Sequence, residues 1–203
     1  LMRFVEGKTF FELDRVPDAE ERKVVLEQAA KVNGIDYKPT YLFDSWAIPN
    51  IRAMFDKVRQ FIEPDDLKLV EQAMAGYEAI PVDDLPHCFV HGDFTKTNVL
   101  KGDNGKIYIL DFSVANWYPR IQELSVIAAN LLHDSGDTSS LEERCNQLAD
   151  EYSRYNTLTD EERRHLPAYA LAGVAMEFMG AHQEKHINGN DTDETDYWLS
   201  IGR

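Results

Sequence analysis

Apolar residues recur at helical spacing along most of the chain. In residues 18–33, Val24, Val25, Ala29 and Val32 share one face of a 3.6-residue period, and Gly34 follows where a helix would stop. Pro49 opens a second periodic stretch through Ile51, Phe55, Val58 and Ile62. Pro64 opens a third through Leu67, Val70, Met74 and Tyr77, with Asp65 and Asp66 at its positive N-terminal end. Between the first two, KPTYLFDSWAIPN (38–50) is irregular and aromatic. The pattern then changes. HCFVHG (87–92), NVL (98–100) and KIYIL (106–110) read as strands, and the last two are joined by KGDNGK, whose Asn-Gly is a strong hairpin signal. LMRFVEG (1–7) alternates enough for a further short strand ending at Gly7. After Asp111 the helical period returns, predicting helices over 121–133, 139–155, 160–185 and 193–202, the third preceded by a Thr159/Glu162 capping box. The expectation is a mainly α chain with a small central β-hairpin island.

Composition changes this picture little. At 203 residues the chain suits one large domain or two small ones, and 43% hydrophobic with 28% charged residues argues against wholesale disorder. The net charge of −15, with no Lys/Arg run longer than two, argues against nucleic acid as a partner. Such acidity favours cationic substrates, although it also serves plain solubility. Cys88 and Cys145 have neither metal-ligand spacing nor a disulfide-rich context and read as reduced structural residues. The most apolar stretch, 168–181, is too short for a bilayer and contains Glu177, so no membrane span is expected. No signal peptide is expected either, and a cytoplasmic location is the corresponding expectation.

The candidate chemistry lies on the island. GDNGK (102–106) is a decoy: a phosphate-binding loop needs four residues between its glycines and a Ser or Thr after the Lys, where Ile107 stands. HGDFTKTN (91–98) is different. Asp93 precedes Asn98 by five residues, the spacing of a kinase catalytic loop, and a strand-turn-strand returns the chain to Asp111 in YILDFSVA. Phosphoryl transfer needs metal ions to neutralise phosphate charge and a carboxylate to orient the attacking hydroxyl. Mg²⁺ takes hard oxygen ligands, usually one or two carboxylates completed by phosphate and water.

The combination HGDFTKTN and ILDFSVA resembles the aminoglycoside phosphotransferase and choline kinase family of protein-kinase-like small-molecule kinases. Loop, hairpin and second aspartate agree together, and the family's helical C-terminal lobe accounts for most of the chain. The resemblance implies Asp93 as catalytic base, His91 as a brace of the catalytic loop, Asn98 and Asp111 as Mg²⁺ ligands, and Glu123 as a structural acid. FVEG (4–7) resembles the family's inter-lobe hinge, so Phe4 and Val5 would meet the nucleotide, and Lys96 would reach a phosphate or remain a solvated loop residue. The implied division is a hinge remnant at 1–7 and a C-terminal catalytic and substrate-binding lobe at 8–203. The family's N-terminal lobe, with its glycine-rich loop and ATP-clamping lysine, would be a missing lobe of the same protein.

Substrate residues are less marked. Trp117 and Tyr118 either line a pocket or pack between elements, and Asp191, Asp193 and Glu194 in DTDETD (191–196) either hold a cationic substrate or begin a helix. The functional expectation is an ATP-dependent phosphotransferase acting on a small-molecule hydroxyl. A pseudokinase-like binding module, or a lobe that needs a partner, is the alternative.

Overall fold

The structure, a computed structural model, describes residues 4–202. Seven helices dominate it: α1 (Ala19–Asn33), α2 (Ile51–Val58), α3 (Pro64–Glu78), α4 (Ile121–Val126), α5 (Leu141–Tyr152), α6 (Asp160–Gln183) and α7 (Asp193–Ile201). Five short strands, β1 (Gly7–Thr9), β2 (His87–Val90), β3 (Val99–Gly102), β4 (Ile107–Ile109) and β5 (Asn116–Pro119), form two antiparallel sheets ordered β1-β3-β4 and β2-β5. The mainly α expectation with a central hairpin holds. The hairpin is β3-β4, closed at Gly105, whose φ of +78° needs no Cβ penalty.

Local chemistry sets the helix ends. Asp18 caps α1 by accepting from the Glu20 and Glu21 N–H groups, and Thr159 with Glu162 forms the expected capping box ahead of α6. The buried face of α1 carries Val25, Leu26, Ala29 and Val32, whereas Val24 is 38% exposed, so the expected stripe is rotated by one residue. Ile51, Phe55, Val58 and Ile62 are all buried as the spacing requires, although α2 stops at Val58 and gives way to a 3₁₀ turn.

Three expectations change. The strand placed at 1–7 begins only at Gly7, where pairing with β3 starts; residues 1–3 lie outside the described ones. Pairing supplies the missing constraint: a Cβ at Gly7 would collide with the β3 backbone. The strand β5 interrupts a stretch read as leading straight into helix. Its partner is β2, so its identity is set by a long-range ladder, Val90 opposite Asn116 and Cys88 opposite Tyr118. Two helices also end in π turns, 127–131 after α4 and 184–188 after α6. α6 is the hub, packing against α2, α3, α4, α5 and α7. Its small residues Ala172, Gly173, Ala175 and Gly180 are buried and let those neighbours approach closely.

Candidate functional site

Loop 91–98 leaves β2 and is held by backbone donors on a buried acid. Gly92, at φ +85°, turns the chain so that the His91 and Gly92 N–H groups both donate to the Glu123 carboxylate of α4, each at 2.9 Å. Asn33 Nδ2 at the end of α1 approaches the same carboxylate at 3.4 Å. Burial pushes Glu123 up to about 7, opposed by those donors. His91 is fully buried. Its Nδ1 accepts the Asp93 N–H at 3.1 Å, so its proton sits on Nε2 and donates to the Leu110 carbonyl at 2.8 Å. Burial lowers its pKa and keeps the ring neutral. His91 therefore braces the loop and ties it to the strand leading to Asp111.

Asp93 accepts from Asn98 Nδ2 at 2.5 Å, closing the loop on itself. Burial pushes its carboxyl up to about 6; Asp44 and Asp111 act in the same direction, Thr95 and Asn98 against it. Asp111 follows β4 at φ +57°, a left-handed position uncommon for a residue with a side chain. One of its oxygens accepts the Ser113 N–H at 3.0 Å, and the Ser113 hydrogen bonds hold its pKa below the usual range.

Asp93, Asn98 and Asp111 open into one cleft of about 430 Å³. Its far wall combines Asp44 and Trp46 from the irregular segment before α2, Glu177 from α6, Glu184 from the following turn, and Glu194 and Trp198 from α7. The indoles of Trp46 and Trp198 meet edge-on, centroids 4.9 Å apart. Gly180 makes room for Trp46, since a Cβ there would run into the indole. Six carboxylates line the cleft, and no lysine or arginine does. Burial, with the Asp93 charge adding to it, pushes Glu177 up to about 8; burial also raises Glu194, opposed by a Thr97 hydrogen bond.

The remaining expected site residues lie elsewhere. Lys96 is buried, donates from Nζ to the His133 carbonyl at 2.9 Å and sits 4.9 Å over the Tyr197 ring, so its charge is used in packing and points away from the cleft. Trp117 packs in β5 with Lys38 over its ring. Asp191 pairs with Lys185 at 2.8 Å, and Asp193 occupies the exposed first turn of α7. Phe4 is 85% exposed, and neither it nor Val5 lines the cleft. Asp44, Trp46, Glu177, Glu184 and Trp198 were not singled out for the site. Glu177 did carry a signal: it is a lone carboxylate in the most apolar stretch of α6.

Among the described residues, no group of three or more His, Cys, Asp or Glu side chains is set to hold a metal alone, and no helix is long and apolar enough to cross a membrane. Both cysteines are free, their thiols pushed up to about 12 by burial.

The model of the phosphotransferase enzyme family (APH) matches residues 1–165. No curated protein matches the chain in sequence. Among solved structures, a choline/ethanolamine kinase family protein from Mesorhizobium loti is similar with a TM-score of 0.67 at 13% identity, over 99% of this chain and 64% of that one. The AMP-bound spectinomycin phosphotransferase gives 0.66 at 12% identity, over 98% and 66%. An aminoglycoside-3'-phosphotransferase of type VIII gives 0.55 at 18%, over 84% and 67%. At these identities the likeness is one of fold. The chain spans less than two thirds of the first two structures.

Proposed function

The chain belongs to the phosphotransferase enzyme family, and from that membership we propose that it acts in ATP-dependent, Mg²⁺-dependent phosphorylation of a hydroxyl on a small cationic molecule. The observation that carries this reading is the cleft itself: Asp93, Asn98 and Asp111 share it with four further carboxylates and no basic residue. Asp93 is the base. Its raised pKa, about 6, leaves it ionised at neutral pH yet basic enough to draw the proton from the attacking hydroxyl as the new P–O bond forms and the bond to ADP breaks. Asn98 spends its Nδ2 on Asp93, which leaves its amide oxygen for a cation; Asp111 keeps one carboxylate oxygen free beyond its Ser113 bond. One carboxylate and one amide oxygen suit Mg²⁺, which neutralises phosphate charge when bound with the nucleotide. Asp44, Glu177, Glu184 and Glu194 face the substrate's ammonium groups, with Trp46 and Trp198 as an aromatic wall.

Neighbouring solved structures are named for choline, ethanolamine and spectinomycin, all hydroxylated amines, and one of them holds AMP; both points support the reading. The nucleotide-clamping groups would come from a further lobe, with the hinge at 1–7 between. The cytoplasm, which supplies ATP and Mg²⁺ and keeps thiols reduced, suits this activity. The test is a phosphorylation screen of hydroxylated amines with Mg²⁺-ATP, using the full-length protein and its Asp93→Asn variant. Turnover in the parent and a loss of about 10²–10⁴-fold in the variant is expected; near-normal turnover in Asp93→Asn would overturn the mechanism.

A further inference from the structure

Lys96 is the motif residue that the proposed chemistry leaves unused, and its surroundings are unusual for a lysine. It is 8% exposed. Its ammonium donates to the His133 carbonyl at 2.9 Å and lies 4.9 Å above the Tyr197 ring of α7. Among the described residues, no carboxylate forms an ion pair with it. A buried ammonium answered by neutral partners costs more than a solvated one, so its burial calls for a separate gain.

The backbone is fixed as firmly as the side chain. The Lys96 N–H donates to Asn130 Oδ1 at 2.9 Å, and its carbonyl accepts the Phe11 N–H at 3.0 Å. The Tyr197 hydroxyl donates to the Asn130 carbonyl at 2.8 Å, and the Phe11 ring meets the Tyr197 ring edge-on at 5.6 Å. The same neighbours therefore grip Lys96 and Tyr197 together. With Lys96 drawn outward, Thr95 and Thr97 on either side of it turn into the cleft, where their hydroxyls meet at 3.0 Å. The Asn98 and Val99 N–H groups close the loop on the Thr95 carbonyl, each at 3.1 Å. Asp93 and Asn98 at the ends of this segment face the cleft, as do Glu194 and Trp198 on α7.

We propose that Lys96 is a positioning residue whose cation, seated on the Tyr197 ring, latches the catalytic loop to α7 and so holds Asp93 and Asn98 toward the reacting groups. Its effect on turnover rests on the phosphotransfer reading; the latch itself does not. The charge serves orientation, because an ammonium bound to a carbonyl and a ring face admits few placements of the loop. An apolar side chain of similar length would pack there at less cost and with less direction.

Thermal melting, amide hydrogen exchange and turnover of the amine selected by the screen test this in the full-length protein. Lys96→Met removes a buried charge, so its Tm is expected to hold or rise. Its Asn98 and Val99 amides are expected to exchange about tenfold faster as the loop opens locally. Its kcat falls about 10–100-fold, with KM for the amine within about twofold of the parent. Lys96→Arg keeps a cation for the ring and the carbonyl, and retains kcat to within about threefold. Tyr197→Leu reproduces the loss in kcat, and adding Lys96→Met to it lowers kcat by about threefold or less. Parental exchange at Asn98 and Val99 in Lys96→Met overturns the proposal. So does a loss of kcat that merely follows a fall in Tm, or one equally severe in Lys96→Arg. Full multiplication of the Lys96→Met and Tyr197→Leu losses would do the same. If the screen finds no phosphotransfer, the functional reading fails and the exchange rates alone decide the latch.

Discussion

The two ends of the cleft are built on opposite principles. At the chemical end the protein supplies nearly every partner: Glu123 receives the His91 and Gly92 N–H groups, His91 bridges to Leu110, and Asn98 closes on Asp93. At the substrate end Asp44, Glu177, Glu184 and Glu194 meet from three separate parts of the chain with no basic residue among the cleft walls. One end is preorganised; at the other, burial raises Glu177 to about 8 and Asn188 and Asn190 donate to Glu184, but no cation of the cleft wall answers the four acids. Preorganised donors cost no rearrangement during reaction, whereas uncompensated carboxylates discriminate strongly between cationic and neutral ligands.

Breaking the preorganised end gives the largest effect. Glu123→Ala strands the His91 and Gly92 backbone donors in a buried site, while Asn33 keeps its bond to the Phe89 carbonyl, and is expected to remove about 2–5 kcal/mol of stability, read by urea unfolding. Glu123→Gln keeps one acceptor oxygen and loses less. If both variants unfold with the parent's midpoint, the loop is not held from α4.

Asp93 and Asp111 sharpen the contrast, because the same side chain meets opposite surroundings. Asp93 is raised to about 6 chiefly by burial. Below pH ~4 both folded and unfolded chains hold its proton. Between there and about 6 the unfolded chain releases it first, so stability falls across that window and stays reduced above it. Asp93→Asn removes this penalty and is expected to stabilise the metal-free protein at pH 7 by about 1–2 kcal/mol, allowing for partial exposure, or roughly 2–8 °C in Tm. Asp111 is lowered instead by its Ser113 bonds, so its stabilising share is present above the ordinary carboxylate pKa and lost as pH falls. Asp111→Asn therefore gives no gain in Tm. A matched rise in both variants, seen by calorimetry, would show that burial does not separate them.

At the substrate end, Gly180→Ala moves the Trp46 indole off α6. The expected result is about a tenfold rise in KM for the amine with kcat little changed, a cost of about 1.4 kcal/mol and within the usual range for overpacking. Unchanged KM and unchanged tryptophan emission would remove Trp46 from the wall.

The same division governs what the sequence could reveal. Asp93, Asn98 and Asp111 were legible because a hairpin of fixed length joins them and short-range spacing carries the chemistry. β5 was not, since its four residues become a strand only through β2. Lys96 and Glu177 exchanged their expected weights for a related reason. The lysine lies in the motif but turns to His133 and Tyr197, while the glutamate lies in a core helix but faces the cleft. Period and spacing state which face a residue occupies, and only the packing of α6 and α7 states what that face meets.

The acidic run at 191–196 offers the finest test, because its members look equivalent in sequence and differ in place. Glu194 lines the cleft, half-buried beside Thr97, and Asp191 pairs with Lys185 on the exposed surface. Glu194→Gln is expected to raise KM for the amine about three- to fivefold, the scale of a partly exposed ion pair, and to weaken with added salt. Asp191→Asn leaves KM, kcat and Tm unchanged within error, because an exposed pair is screened by solvent. Equal effects of the two substitutions would mean that bulk acidity draws the substrate in. A difference confined to Glu194 would assign recognition to the one carboxylate of the run that the packing of α7 turns inward.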